Sequence, residues 1–322
     1  MKFGFACKYI TNDRQMNGVK PSDDSYPYNV GTTTVTHLDK QSIDQALAKL
    51  EKLANNNLAS ILKLVTLVSN QPDHFRMLRL SSDILPLYTH KKYHILYNDQ
   101  TIRSNIERQF AHIGTIARSN NIKLSFHPGQ FCVLASDRED VVNNSIKEFE
   151  YHTTMAQMMG YGSQFQDFKI NIHLSGRGSI SQFRKTYDQL SDVAKNCITV
   201  ENDEYTSDLE QCLQLSDICP IVFDIHHEFI HNNHILNHND ILIKRVIDSW
   251  CGVRPTMHYS QSREEYFNVP NIKRGKLRAH SDYYHDNKLN DHVYDFLQDF
   301  DIMLECKSKN LGRDRLYEYY FN

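Results

Sequence analysis

Short apolar runs recur along the chain, and longer stretches of helical period fill the gaps between them. Eight runs have the length and composition of strands: KFGFA (2–6), FRMLRL (75–80), IKLSF (122–126), FKINIHL (168–174), CITV (197–200), PIVFDI (220–225), PTMHY (255–259) and DIMLEC (301–306). In SIDQALAKLEKLA (42–54), Ser42 is placed to cap a helix whose Ile43, Leu47, Leu50 and Ala54 share one face. Further helices are predicted over 100–119, 139–159, 181–195, 207–216, 239–248 and 288–299, and the Asn-rich patches Asn55–Asn57 and Asn232–Asn233 read as loops. Strand–helix alternation repeated eight times without a Gly/Pro/Ser-rich linker predicts an α/β fold, a single (β/α)8 TIM-barrel domain over 1–322. A doubly wound open sheet competes, but no GxGxxG follows the first strand.

Composition narrows the class without naming a function. A hydrophobic fraction of 40% and a charged fraction of 23% fit a globular protein, and the net charge of -3 means that a nucleic-acid binder must gather its cations locally. One such cluster is NIKRGKLRAH (271–280), which reads either as a solvated loop or as a phosphate contact. The seven cysteines show no CxxC spacing, which fits a reducing compartment. The start MKFGFACKYI is too brief for a signal-peptide core and no apolar run reaches membrane-spanning length, so an intracellular, unsecreted protein is expected. The number that stands out is 17 histidines.

A barrel places its active site at the C-terminal ends of its strands. Six successive predicted strands end there in His, Asp or Glu: His127, His173, Glu201, the group Asp224, His226 and His227, then His258, then Glu305. One such residue is usually structural, but converging carboxylates stay ionised together only if cations neutralise them. Mixed His and carboxylate ligation suits divalent Zn, Mn or Fe, and it favours phosphate-ester hydrolysis over sugar isomerisation. Within IVFDIHHEF (221–229), strict strand alternation puts Asp224, His226 and Glu228 on one side and His227 on the other.

Taken in order, FGFAC, RLSSDILP, SFHPGQF, NIHLSG, TVEND, FDIHH, MHYS, AHSDYY and MLECKSK resemble the UV damage endonuclease family, metal-dependent barrel enzymes related to endonuclease IV. The likeness covers residues 1 to about 309. It implies nicking of damaged double-stranded DNA 5′ to UV photoproducts, and often abasic sites, leaving a 3′-hydroxyl. Two or three divalent ions are implied, Mn2+ first with Zn2+, Mg2+ or Co2+ as alternatives. The implied ligands are His127, His173, Glu201, Asp224, His227, His258, His280 and Glu305, of which Glu201, Asp224 and Glu305 are central to catalysis. Here the likeness prefers His227 to His226. Gln130 and Phe131 match a pair pushed into the duplex opposite the damage, and Phe5, Tyr9, Arg177, Lys273 and Arg274 are expected to face DNA.

The sequence departs from the family pattern in places. Thr256 stands where a Lys is usual, which bears on the third ion; Phe131 and Phe5 replace Tyr, and Tyr9 replaces Asn. Two alternatives follow: a damaged-DNA binding protein with impaired turnover, or an abasic-site endonuclease without photoproduct activity. A monomer without an obligate protein partner is expected.

Overall fold

Each barrel strand is only three to five residues long and most are buried on both sides, because one face meets the barrel interior and the other the surrounding helices. In a computed structural model, which describes residues 1–11, 26–174, 179–267 and 269–322, all eight predicted strands form. They are β1 (Phe3–Ala6), β2 (Met77–Arg79), β3 (Lys123–Phe126), β4 (Lys169–His173), β5 (Ile198–Glu201), β6 (Ile221–Asp224), β7 (Thr256–Tyr259) and β8 (Asp301–Leu304). They close in sequence order, all parallel, with β8 pairing back onto β1. The register sets His173 beside Glu201 and Asp224 beside His258, so neighbouring strands deliver their polar ends to one level. Among the described residues no helix is long and apolar enough to cross a membrane.

The helices match in kind more closely than in extent. The first long helix runs Ile43–Ser69, with the Ser42–Gln45 capping box formed. It passes straight through Asn55–Asn57, correcting the loop reading. Asn57 is buried there because its amide is satisfied: Oδ1 accepts from Gly31 N (2.8 Å), and Nδ2 donates to the carbonyls of Gly31, Asp83 and Ile84. The predicted 181–195 helix is two, Ile180–Tyr187 and Asp192–Cys197, because the Ser191 hydroxyl caps a fresh start at Ala194 N (3.2 Å). A C-terminal helix, Asn310–Phe321, was not foreseen; Tyr317 packs it edge-on against Phe3 at 5.5 Å. His152 is fully buried in helix Glu139–Met158.

Candidate metal centre

The strand reading of 221–229 fails after its fourth residue. β6 stops at Asp224, whose carboxylate accepts from His227 N (2.8 Å) and caps the helix Ile225–Asn232. His226, His227 and His231 therefore sit on a helix, where the alternation in 221–229 predicts a strand, and helical rotation separates the two adjacent imidazoles. His226 is fastened between two hydroxyls, Ser260 Oγ on Nδ1 and Ser262 Oγ on Nε2, both at 3.0 Å. His227 turns to the carboxylates instead, with Nδ1 3.4 Å from Glu201 and 3.7 Å from Asp224.

Glu201, at the end of β5, is the hub. Its Oε2 lies 3.3 Å from His127 Nε2 and its Oε1 2.9 Å from His258 Nδ1. Two sets of donors share it among the described residues: His127, His173 and Glu201, and Glu201, Asp224 and His258, each with ligand atoms within 4.8 Å of one another. Glu305 joins through His258 Nδ1 at 3.2 Å. His280 lies at the edge, its ring 5.6 Å from that of His226.

Ring orientation is fixed from behind. Because a carbonyl can only accept, the Nδ1 atoms of His127, His227 and His280 must donate to Pro128 O (3.0 Å), Asn202 O (3.1 Å) and Glu305 O (2.9 Å). That leaves Nε2 of His127 and His280 as the lone-pair nitrogen, the tautomer a metal ligand needs, and Nε2 of His227 as the nitrogen that becomes one when a cation displaces its proton. Glu201 is oriented likewise: Thr199 Oγ1 donates to Asn171 Oδ1 (2.9 Å), turning the Asn171 amide nitrogen onto Glu201 Oε2.

These groups strain one another's protonation. Burial pushes the Asp224 carboxyl up to about 7, with Glu201 and Glu305 adding to the rise against the opposing His227 charge. Burial opposes a charge on His227, yet Asp224, Glu201 and Glu204 outweigh it and raise its imidazole to about 9. Burial drives His173 down to about 4. Burial also works against Glu201, but the surrounding imidazoles hold it well below the usual carboxylate range. Among the described residues, Asp224 Oδ2 and His173 Nδ1 remain buried with no hydrogen-bond partner, as expected of donors arranged for a cation. The residues present fit divalent ions.

Comparison with known proteins then decides the family. The UV-endonuclease UvdE family model matches residues 1–318. The chain belongs to the UV-endonuclease family. Membership puts it among endonucleases. It is 29% identical over 299 residues to a UV DNA damage endonuclease of Bacillus velezensis, covering 89% of this chain and 87% of that one. To the UV-damage endonuclease of Schizosaccharomyces pombe it is 31% identical over 280 residues, 82% of this chain but 43% of that longer protein. The crystal structure of SacUVDE superposes with a TM-score of 0.71 at 23% identity, covering 99% of both chains. Endonuclease IV from Thermus thermophilus superposes at 0.52 with 10% identity over 81% of this chain and 92% of that one, and both likenesses carry the barrel fold.

Within this UV-endonuclease barrel the residues expected to face DNA separate. Phe131 is 85% exposed and Gln130 is exposed beside it, at the mouth just after β3. Phe5 is fully buried, packed between Tyr9 and the Arg313 guanidinium, and offers no face for stacking. The reason is its place inside β1 rather than past its end. Tyr9 is half-buried against Tyr28 at 5.2 Å. Lys273 and Arg274 are exposed, but Arg274 already donates to the carbonyls of Glu204 and His231. Arg177 lies outside the described residues. Thr256 is buried two positions before His258, its hydroxyl without a partner. Glu228 meets Leu209 N and Asn232 rather than a ligand imidazole.

Several site residues were missed. Arg79 ends β2 and pairs with Glu305; Asn202 holds Asp224 through two backbone bonds of 2.8 and 2.9 Å; Glu204 lies 3.7 Å from His227 and pairs with Arg278. The alternation Met77, Leu78, Arg79, Leu80 in RMLRL carries the signal for Arg79, an inward cation at a strand end.

Proposed function

We propose that the protein is a DNA repair endonuclease that nicks damaged double-stranded DNA immediately 5′ to UV photoproducts, cyclobutane dimers and 6-4 photoproducts, and possesses activity at abasic sites, leaving a 3′-hydroxyl. The observation that carries this reading is Glu201 shared between His127 and His173 on one side and Asp224 and His258 on the other. Two or three divalent ions, Mn2+ first, would be held by these residues with His227, His280 and Glu305. When bound, such ions supply Lewis acidity at the phosphoryl oxygens and make water nucleophilic near neutral pH. One barrel domain would carry the whole activity, inside the cell, as a monomer.

The chain's own residues do the rest. Asn171 and Arg79 fix Glu201 and Glu305 so that each carboxylate presents a defined oxygen to the cluster. A photoproduct stacks and pairs poorly, so extruding it costs less than extruding normal bases, and Phe131 with Gln130 is placed to fill the gap.

Incubation of the protein and Mn2+ with end-labelled duplexes, irradiated, abasic and undamaged, tests this. A nick 5′ to the photoproduct is expected; retention without a nick would leave a damage-binding protein, and a nick at the abasic duplex alone would leave an abasic-site enzyme. Phe131→Ala and Gln130→Ala are expected to lower the ratio of damaged to undamaged cleavage by roughly 10-fold, the scale of one lost stacking contact. Counting ions in the purified protein reads the consequence of Thr256: two rather than three would mean that a site was lost with the usual Lys.

A further inference from the structure

Lys309 joins the loop after β8 to the helix Asn310–Phe321 in a backbone conformation that side-chain-bearing residues avoid, φ 53° and ψ −121°. This lies outside the left-handed α well that Asn233 occupies at φ 52°, ψ 36°. Glycine would make the same turn without strain. The lysine side chain must therefore bring something that offsets it, and contacts among the described residues supply no such gain. Its backbone is engaged, N with Cys306 O (3.3 Å) and O with Arg313 N (3.0 Å). Its side chain is half-buried, yet among the described residues its ammonium has no hydrogen-bond or ion-pair partner.

Other sheltered cations show how unusual this is. Lys2 meets Asp73 at 3.0 Å, Lys123 and Arg254 share Asp301, and Arg79 beside Lys309 is already committed to Glu305. Burial and repulsion from Arg79 both lower the basicity of Lys309, while Glu305 pulls the other way; its charge also reaches His280. At the β8 corner of the mouth two cations, Arg79 and Lys309, thus share the field of Glu305, and of the two only Arg79 is paired with it. This corner lies three strands round the ring from the exposed loop of Gln130 and Phe131, on the same rim of the barrel.

We propose that Lys309 is a DNA-binding residue whose ammonium takes a backbone phosphate of the strand to be cut, beside Glu305. This rests on the DNA endonuclease reading above. A lysine suits the task because a point charge on a flexible stem needs no fixed geometry from the phosphate.

The test is binding of an irradiated fluorescent duplex in EDTA over a range of salt, using the full chain with Lys309→Met, Lys309→Arg, Lys309→Gly and, as control, Lys63→Met on the exposed face of helix Ile43–Ser69. Lys309→Met is expected to weaken binding roughly 10-fold and to make the slope of log affinity against log salt shallower by about 0.9, one phosphate contact. Lys309→Arg keeps the slope, and Lys63→Met leaves it unchanged. Lys309→Gly is the decisive variant, since release of backbone strain raises its melting temperature while binding still falls. Unchanged affinity and slope in both Lys309→Met and Lys309→Gly would overturn the proposal. Failure of the unsubstituted protein to bind or nick the irradiated duplex overturns the endonuclease reading itself, a different result.

Discussion

The two ends of the barrel bury charge in opposite ways. At the N-terminal end, Asp301 is 1% exposed and both its oxygens are occupied, Oδ1 by Lys2 N (2.6 Å) and Arg254 Nε (3.0 Å), Oδ2 by Lys123 Nζ. At the C-terminal end, Asp224 is just as buried, yet among the described residues its Oδ2 has no hydrogen-bond donor, and burial together with the carboxylates around it pushes its proton affinity up. A closed charge of the first kind holds strands together. An open set of the second kind costs stability until a cation completes it.

Removing Asp301 should therefore be the most damaging change to the fold. Asp301→Ala strips the partner from two buried-end cations and is expected to cost about 3–5 kcal/mol in urea unfolding while leaving metal binding intact. Asp224→Ala is expected to do the reverse: in EDTA it costs only about 1 kcal/mol, because the lost cap of helix Ile225–Asn232 is set against relief of carboxylate crowding, while in the absence of chelator calorimetry reads a loss of metal uptake. Equal destabilisation by the two would erase the contrast between the ends.

A finer division runs through the open end, between adjacent imidazoles. His227 has its Nδ1 tied to Asn202 O and is turned to the carboxylates, whereas both nitrogens of His226 are held by serines. His227→Ala is expected to weaken metal binding by more than the roughly 100-fold ceiling of outer contacts, and His226→Ala by about 10-fold or less. Equal losses in a calorimetric titration would put His226 among the ligands.

How far the sequence showed all this follows from what each signal depends on. Strands buried on both faces read as compact apolar runs, so all eight strands and the six polar strand ends were legible, and with them the barrel and the candidate ligands. The run IVFDIHHEF misled because Asp224 serves at once as strand end and helix cap, and local alternation carries no mark of that double use. Asn57 looked like a loop residue because its four partners lie 26 or 27 positions away in sequence. The DNA role of Phe5 is implied by the family likeness alone; only the strand's depth in the barrel shows that the ring is sealed inside. Arg79 and Lys309 are not legible as site residues in the sequence, since a metal-ligand pattern consists of groups that bind cations and these two supply positive charge.

The closed end has one exception, and it gives the smallest and most specific prediction. Lys169 begins β4, 7% exposed, with Nζ donating to Gln166 O at 3.3 Å and lying 5.6 Å from the Trp250 ring. Burial, reinforced by the charge of Lys123, pulls its ammonium down to about 8 from 10.5. Between those values the unfolded chain binds more protons than the folded one, so this group's contribution to stability is present above 10.5 and lost as pH falls through about 8. At pH 7 the charged amine is therefore a burden that Lys169→Met removes, and the substitution is expected to stabilise the protein by about 1–3 kcal/mol there. The gain should shrink toward zero near pH 10, where the unsubstituted side chain is neutral when folded. Urea unfolding at the two pH values separates charge from packing, since a gain of equal size at both would mean that methionine merely fits the Trp250 side of the barrel better, and Lys169 would rejoin the structurally satisfied cations of that end.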